Sequence, residues 1–136
     1  MVCAYCNGPT EVSNSRRQRR ANQIWRRRRC RRCGSTFTTH EAIDLSSSLF
    51  IDKNGAHKPF SADRLFTELL LALQDQPDAY LAAREASQTV IKRLLALPGR
   101  PFVPSTEVSR LASEVLKRLD KRAHLRYQAE HPSLQS

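Results

Sequence analysis

Two pairs of cysteines with the spacing Cys-x-x-Cys constrain this chain more than any other feature. Cys3 and Cys6 form the first pair, Cys30 and Cys33 form the second, and 23 residues separate the two pairs. This spacing lets both thiolates of a pair occupy one edge of a tetrahedron around a metal ion, at about 2.3 Å from it. The four cysteines therefore predict one structural Zn²⁺ in a ribbon of antiparallel strands, with Gly34 at the turn of the second pair.

Three other uses of the cysteines stay open: a redox pair, an iron centre, or unligated thiols in a core. Four soft ligands leave no open position for catalysis, and no histidine lies within either pair, so a closed zinc site is favoured. A segment with so few large apolar residues cannot fold on a hydrophobic core alone. We therefore expect the metal to supply much of its folding free energy.

Positive charge is concentrated in the first third of the chain. The net charge is +10, and residues 1–48 hold ten basic residues, all arginine, against three acidic ones. A guanidinium makes planar, two-pronged contacts with phosphates and guanine edges, which a lysine ammonium cannot. The pattern predicts an anionic polymer as partner. The candidate DNA-binding residues are Arg16, Arg17, Arg19, Arg20, Arg26, Arg27, Arg28, Arg29, Arg31 and Arg32.

The arginine run next to Trp25 has the composition of a strand with two charged faces. Alternate residues of a strand face opposite sides, so Arg26 and Arg28 should point one way and Arg27 and Arg29 the other. Trp25 either packs within the hairpin or stacks on a base, and packing is favoured. A solvated basic face or a targeting-like run is the alternative for the whole cluster. The run does not distinguish phosphate contacts from base contacts, or duplex DNA from RNA.

The chain changes character at Ser46-Ser47-Ser48. We predict a linker at 46–48 between an N-terminal zinc ribbon at 1–45 and a C-terminal domain at 49–136. The second domain should open with a short hairpin, because the turn Asn54-Gly55 tolerates positive φ.

Helical patterns fill the rest of the second domain. Three amphipathic helices are predicted to begin near Ser61, Asp78 and Pro104. A short fourth helix is predicted from about Lys121 to Glu130, with Leu125 and Tyr127 as its candidate anchors. The predicted fold class is therefore α+β.

Several classes of protein are disfavoured by the sequence. It has no apolar run of the roughly 20 residues that a membrane span needs, and its first residues do not resemble a signal peptide, so we expect a soluble cytosolic protein. A nucleotide hydrolase is the enzymatic alternative. With four glycines in all and no phosphate-cradling glycine-rich loop, we expect no enzymatic activity.

Ordered motifs in both halves resemble one family. Cys3-x-x-Cys6, Val12-x-x-Ser15-Arg16, Ile24-x-Arg26-Arg27-Arg28-Arg29-Cys30-x-x-Cys33 and Phe37-Thr38-Thr39-x-Glu41 are similar to the zinc ribbon of NrdR-type transcriptional repressors of bacterial ribonucleotide reductase genes. Asn54-Gly55, Pro59-Phe60, Arg64-Leu65 and Leu119-Asp120-Lys121 resemble the ATP-cone that follows it, a helical nucleotide-sensing domain. The resemblance implies a repressor in the bacterial cytosol or nucleoid. It would bind double-stranded operator DNA and ATP or dATP, and it would change its oligomeric state.

The C-terminal domain departs from the family pattern in charge. Asp52 and Asp75 stand in stretches where the family has basic residues, and each should repel a triphosphate by on the order of 1 kcal/mol. Lys53, Lys58 and Arg64 remain as candidate nucleotide-binding residues, with ordinary solvated charges as the alternative. Two other functions stay open: an NrdR-like repressor that has lost nucleotide sensing, and a basic zinc-ribbon protein that binds RNA.

Overall fold

The computed structural model describes residues 1–134 and consists of two compact units, Met1–Ile43 and Asp44–Ser136. The first unit is built from strands, and the second is mainly helical with a small sheet. The α+β class predicted from the sequence is confirmed.

The first unit is a three-stranded antiparallel sheet. Its strands are β1 (Thr10–Gln18), β2 (Gln23–Cys30) and β3 (Thr36–Glu41), and β2 lies in the centre. A bulge between Val12 and Asn14 shifts the register of β1 against β2. The central position of β2 gives every arginine of its run a neighbour on both sides.

The first unit has almost no hydrophobic interior. Among residues 1–43, all of which the structure describes, the buried apolar side chains are those of Cys3 and Cys30. Burial of apolar surface therefore contributes little to the stability of this sheet. Its stability depends on what holds the cysteines together.

The second unit combines a small sheet with four longer helices. Strands β4 (Phe50–Lys53) and β5 (Ala56–Pro59) form the predicted hairpin, and Asn54 and Gly55 in its turn have φ of 54° and 81°. The helices are α2 (Ala62–Ala72), α3 (Ala79–Ala96), α4 (Ser105–Leu119) and α5 (Lys121–Glu130), and a 3₁₀ turn follows at Pro132–Leu134.

The predicted linker differs from what the structure shows. Residues 46–48 belong to a helical turn, α1 (Leu45–Ser48), and the boundary between the units falls between Ile43 and Asp44. The Asp44 carboxylate caps this turn by accepting hydrogen bonds from the Ser46 N–H at 3.1 Å and the Ser47 hydroxyl at 2.8 Å. Serines beside an aspartate favour a capped turn as readily as a linker. The ribbon is thus two residues shorter than the predicted 1–45.

A third strand of the small sheet was absent from the sequence prediction. Strand β6 (Phe102–Pro104) pairs in parallel with β4, with Phe50 opposite Phe102, and the Val103 side chain is 1% exposed. Three residues that end in a proline give too short a pattern to indicate a strand. Their pairing partner lies about fifty residues earlier in the chain, so only the tertiary fold brings the strands together.

The core of the second unit lies between its helices, as their periodicity predicts. Leu111, Val115 and Leu116 of α4 are buried, and Ser61 caps α2 by accepting a hydrogen bond from the Arg64 N–H at 3.1 Å. In α5, Tyr127 is 2% exposed, whereas Leu125 is 55% exposed and is not the anchor that we predicted. No helix within residues 1–134 combines the length and hydropathy needed to cross a lipid bilayer.

Candidate metal centre and nucleic-acid interface

The four cysteines converge at one end of the ribbon sheet. Their sulfur atoms all lie within 4.8 Å of one another, with 3.8 Å between the Sγ atoms of Cys3 and Cys33 and 3.5 Å between those of Cys6 and Cys30. A zinc–thiolate tetrahedron with bonds of about 2.3 Å has edges of about 3.8 Å. The cluster therefore fits one Zn²⁺. Each of the two close contacts is between a cysteine of the first pair and a cysteine of the second, as a single tetrahedral site requires.

Backbone N–H groups in both pairs point at sulfur atoms. The N–H of Tyr5 lies 3.4 Å from Cys3 Sγ, and the N–H groups of Arg32 and Cys33 lie 3.3 and 3.4 Å from Cys30 Sγ. The hydrogen bond from the Cys33 backbone is the main cause that lowers the pKa of the Cys30 thiol. Such bonds stabilise thiolates, which are the form that binds a metal.

The pKa of Cys33, the exposed cysteine of the second pair, is also lowered. Hydrogen bonds from the side chain and backbone of Ser35 lower the pKa of Cys33 to about 6. Although a hydrogen bond from the Gly8 backbone lowers the pKa of Cys6, burial and hydrogen bonds with the other three cysteines raise it to about 11. The four thiols therefore do not ionise alike without a metal, and a bound cation such as Zn²⁺ favours the thiolate form of all four.

Two kinds of residue shape the cysteine turns. Asn7 and Gly34 occupy matching places after the first and second pair, and both have left-handed backbones, with φ of 58° and 74°. Gly8 has a steric role that was not predicted from the sequence. A Cβ at Gly8 would lie 2.9 Å from Arg32 Cβ and 3.2 Å from the sulfurs of Cys6 and Cys30. The first pair approaches the second this closely only because residue 8 has no side chain.

One face of the ribbon sheet, which we call the tryptophan face, carries Trp25, Arg27 and Arg29 of β2, all exposed. The rings of Trp25 and His40 stack across the strands, with centroids 4.8 Å apart and planes inclined by 6°. The predicted alternation of the arginines is confirmed. From the strand register, the remaining neighbours on this face are Glu11, Asn14, Arg16, Thr36 and Thr38, and the Glu11 carboxylate pairs with Arg31 at 3.1 Å.

The opposite face, which we call the glutamate face, holds the half-buried Arg26 and Arg28. Arg26 donates to Glu41 at 3.0 Å and to the Ser15 hydroxyl at 3.2 Å, and Arg28 donates to the Thr39 hydroxyl at 3.3 Å. A carboxylate neutralises a guanidinium, so Arg26 offers less charge to an external anion than its neighbours do.

The structure divides the ten candidate DNA-binding residues into four places. Arg16, Arg27 and Arg29 lie on the tryptophan face, and the remaining arginines lie elsewhere in the ribbon. On the glutamate face are Arg17, Arg26 and Arg28; in the β1–β2 turn are Arg19 and Arg20; in the second cysteine turn are Arg31 and Arg32. Among these ten arginines, all within the described part of the chain, six have a guanidinium group without an ion pair or hydrogen bond, namely Arg16, Arg17, Arg19, Arg20, Arg29 and Arg32.

The three candidate nucleotide-binding residues line one cleft of the second unit. This cleft has a volume of about 1020 Å³, and Lys53, Lys58 and Arg64 are all on its wall. Arg64 also pairs with Glu68 at 3.0 Å, so part of its charge is compensated. Three residues that are separate in the sequence therefore line the same cleft.

The two aspartates expected to repel a triphosphate have different positions. Asp52 lines the cleft, but its carboxylate accepts a hydrogen bond from the Gly55 N–H at 3.0 Å and so closes the hairpin turn. Asp75 is not part of the cleft wall; it forms an ion pair with Arg126 of α5. The Asp75 side chain is exposed, and its charge is compensated by Arg126 away from this cleft; the repulsion of a triphosphate by Asp75 stays a prediction.

The cleft also contains a residue whose role the sequence did not reveal. The Tyr127 hydroxyl is buried on the cleft wall and, within residues 1–134, has no hydrogen-bond partner. Burial, with the charge of Glu68, raises the pKa of Tyr127 to about 12. The Ser109 side chain is close enough to act on this pKa in the opposite direction, so the hydroxyl has a polar neighbour although it makes no hydrogen bond of normal geometry.

Comparisons with known proteins agree with this architecture over both units. Residues 1–41 match the family model described as transcriptional repressor NrdR-like, N-terminal domain. The chain is 38% identical over 128 residues to the transcriptional repressor NrdR of Aromatoleum aromaticum, which covers 93% of this chain and 74% of that protein. The chain belongs to the NrdR family.

Other NrdR relatives align over the full length. The transcriptional repressors NrdR of Cupriavidus pinatubonensis and Bordetella pertussis are each 34% identical over 136 residues, or 99% of this chain, and the alignments cover 88% and 84% of those proteins. The resemblance drawn from the ordered motifs is thus confirmed. These NrdR relatives are named as regulators rather than enzymes, which agrees with the expectation that this chain is not an enzyme.

Proposed function

We propose that this chain is a zinc-dependent repressor that binds double-stranded DNA through its ribbon, in the bacterial cytoplasm. The main observation behind this proposal is that six arginines of the first unit have no ion pair or hydrogen bond. The strands of this unit meet at one end in the cluster of four cysteines. An exposed guanidinium without an internal partner retains its full attraction for phosphate. Arginines clustered in one small unit are the electrostatic signature of a surface that binds a nucleic acid.

The electrostatic part of this function has a quantitative consequence. Each phosphate neutralised on duplex DNA contributes about −0.9 to the slope of log affinity against log salt concentration. If all six unpaired arginines contact phosphates, the slope is near −5. Affinity should then fall by roughly a thousandfold between about 50 and 200 mM salt.

Fluorescence anisotropy with labelled duplexes tests the proposal. The zinc-loaded protein is titrated against duplex DNA and duplex RNA at several salt concentrations. Arg16→Ala should weaken binding to all DNA duplexes and make the slope shallower by about one. Arg84→Ala is the matched control, because Arg84 is an exposed arginine on α3 outside the ribbon, and it should leave the slope unchanged. Tighter binding to RNA than to DNA at equal salt would favour the RNA-binding alternative.

We further propose that the cleft of the second unit binds ATP or dATP and that the nucleotide controls assembly into oligomers. The convergence of Lys53, Lys58 and Arg64 on one cleft supports this, as does the unpaired Tyr127 hydroxyl at the same wall. Ammonium and guanidinium groups bind phosphate oxygens, and a buried phenol donates to a polar atom of a ligand. The cleft, with its ATP-cone-like motifs, is the proposed sensing site.

Calorimetry with ATP and dATP tests nucleotide binding, and sedimentation in their presence tests assembly. Lys58→Ala should weaken binding about tenfold, because it removes one charge from the cleft wall. Lys92→Ala on α3, outside the cleft, should bind as the wild type does. An absence of heat with both nucleotides would instead support the alternative of a repressor without nucleotide sensing.

A further inference from the structure

The tryptophan face carries a shallow groove of about 220 Å³, lined by Asn14, Arg16, Trp25, Arg27 and Thr38. The groups that line it include the ring of Trp25, the amide of Asn14 and the guanidinium groups of Arg16 and Arg27. A surface that only attracts phosphates needs charge and has no use for an exposed ring or an amide. This combination is the one that proteins use to contact the edges of bases.

Arg27 differs from the other arginines of this face because hydrogen bonds fix the position of its guanidinium group. Its Nη2 donates to the Thr36 hydroxyl at 2.7 Å, and its Nη1 donates to the Thr38 hydroxyl at 3.2 Å. A guanidinium has five N–H donors, so two threonines leave three of them for a ligand. The hydroxyls fix the direction of the fork without neutralising its charge. Such a group loses little conformational freedom on binding, which favours a contact with strict geometry.

Asn14 lies directly opposite Arg27 in the register of β1 and β2. Residues paired in this way have side chains about 5 Å apart, and successive bases of one DNA strand are about 3.4 Å apart. The two side chains can therefore address neighbouring base pairs. The Asn14 amide has no intramolecular hydrogen bond among the described residues, so both its donor and its acceptor are available.

The dimensions of the sheet suit the major groove. The major groove is about 12 Å wide and admits a two-stranded β-ribbon; Asn14, Arg16, Trp25 and Arg27 belong to two adjacent strands, β1 and β2, whose axes lie about 4.8 Å apart. An arginine fork matches O6 and N7 of guanine, an amide matches N6 and N7 of adenine, and an apolar wall packs on the C5 methyl of thymine. The stacked rings of Trp25 and His40 form such a wall beside the groove.

From these observations we infer that Arg27 reads a guanine edge, Asn14 reads an adjacent adenine, and the Trp25–His40 stack contacts a thymine methyl. This inference rests on the proposed binding of duplex DNA and assigns the sequence-reading part of it. The unpaired arginines of this face and of the two turns, Arg16, Arg19, Arg20, Arg29 and Arg32, contact phosphates and give affinity without sequence preference, whereas Arg17 lies on the opposite face.

Selection from a pool of duplexes with a randomised window tests the assignment. The wild-type protein should enrich a sequence that contains a guanine next to an adenine. Arg27→Lys keeps the charge but removes the fork, so the preference for guanine at that position should fall about tenfold with an unchanged salt slope. Arg29→Lys, on the same face and strand, is the matched control and should retain the preference. Zinc content and circular dichroism establish that both variants are folded.

Base analogues make the test independent of any variant. In the selected duplex, 7-deazaguanine removes the N7 acceptor and uracil removes only the thymine methyl. Wild-type binding should weaken about tenfold with the first analogue and severalfold with the second, whereas Arg27→Lys and Trp25→Ala should be insensitive to the respective change. Equal loss in Arg27→Lys and Arg29→Lys, or no effect of either analogue, would overturn the inference.

The outcomes separate this inference from the function on which it rests. A wild-type protein that binds duplexes but enriches no sequence overturns base reading and leaves backbone binding intact. A protein that binds no duplex contradicts the proposed function itself.

Discussion

Neighbouring arginines in β2 have the same chemistry but different partners. Arg26 donates to the Glu41 carboxylate, whereas Arg27 donates to threonine hydroxyls that carry no charge. Because only the carboxylate offsets positive charge, Arg27 keeps its attraction for an anion while its direction is fixed. At the scale of the residue, the partner rather than the residue type decides which arginine is available.

Gly8 gives the first residue-scale prediction. Gly8→Ala places a methyl group against Arg32 Cβ and two cysteine sulfurs, so the two cysteine pairs must separate. Overpacking of this kind costs about 1–3 kcal/mol, and we expect zinc affinity to fall accordingly in competition with a chromogenic chelator. Gly34→Asn is the control, because Asn7 already adopts the equivalent left-handed backbone; it should bind zinc nearly as the wild type does. Equal zinc affinity in all three proteins would contradict the steric role of residue 8.

Tyr127 gives a second prediction, in alkali. Burial raises the pKa of Tyr127 to about 12 in the folded protein, whereas an unfolded tyrosine titrates near 10. The folded state favours the neutral phenol, so this contribution to stability is present below pH 10 and is lost as the pH rises toward 12. Two pKa units correspond to at most about 2.7 kcal/mol.

Urea unfolding at a series of pH values from about 9 to about 12 measures this loss. Tyr127→Phe cannot ionise, so its free energy of unfolding should fall less steeply than that of the wild type over the same range. Parallel curves for the two proteins would show that Tyr127 does not titrate with folding.

At the scale of the element, the second unit is tied together where its helices begin and end. Asp120 ends α4 and caps α5, and its carboxylate accepts hydrogen bonds from the N–H groups of Arg122 at 2.7 Å and Ala123 at 3.0 Å. The Gln76 amide, between α2 and α3, donates to the other carboxylate oxygen. One side chain thus joins the junction of α4 and α5 to the turn between α2 and α3, and the Ala123 hydrogen bond is the main cause that lowers the pKa of Asp120.

Removing this cap should lower the stability of the second unit. Asp120→Ala loses the acceptor for two backbone N–H groups, and we expect a cost of about 1–2 kcal/mol in thermal or urea unfolding followed by helical circular dichroism. Asp120→Asn retains an acceptor oxygen and should recover most of the loss. If alanine and asparagine destabilise equally, the charge of Asp120, rather than its capping, is what matters.

At the scale of the whole molecule, the two units owe their stability to different interactions. The hydrophobic cluster lies wholly within the second unit, from Leu49 to Tyr127, whereas the buried apolar side chains of residues 1–43 are two cysteines. One unit is held by burial of apolar surface, and we expect the other to depend on ligation of its four thiols. Each should therefore respond to a different perturbation.

Chelation should unfold the ribbon and spare the helices. After removal of zinc, we expect the strand contribution to circular dichroism and the environment of Trp25, which is the only tryptophan, to change. The helical signal at 222 nm and its thermal midpoint should persist, because α2 to α5 pack without a metal. Restoring Zn²⁺ should recover the Trp25 fluorescence, and an unchanged fluorescence after chelation would contradict metal-dependent folding of the ribbon.

The sequence alone determined the features that depend on short spacings. Cysteines separated by two residues predict a metal-binding turn, and apolar residues at spacings of three and four positions predict a helix face, because both follow from the local geometry of the backbone. The convergence of the four cysteines, the α+β class, the hairpin turn and the amphipathic helices could therefore be predicted, along with membership of the family.

The tertiary structure decided what depends on residues distant in the chain. It brought Glu41 to Arg26 and two threonines to Arg27, paired β6 with β4, compensated Asp75 with Arg126, and placed Gly8 against the second cysteine turn. No local pattern encodes these contacts, because each joins segments that meet only when the chain has folded. The arginine run can thus be seen in the sequence. Which of its arginines form internal ion pairs or hydrogen bonds, and which do not, is decided by the fold.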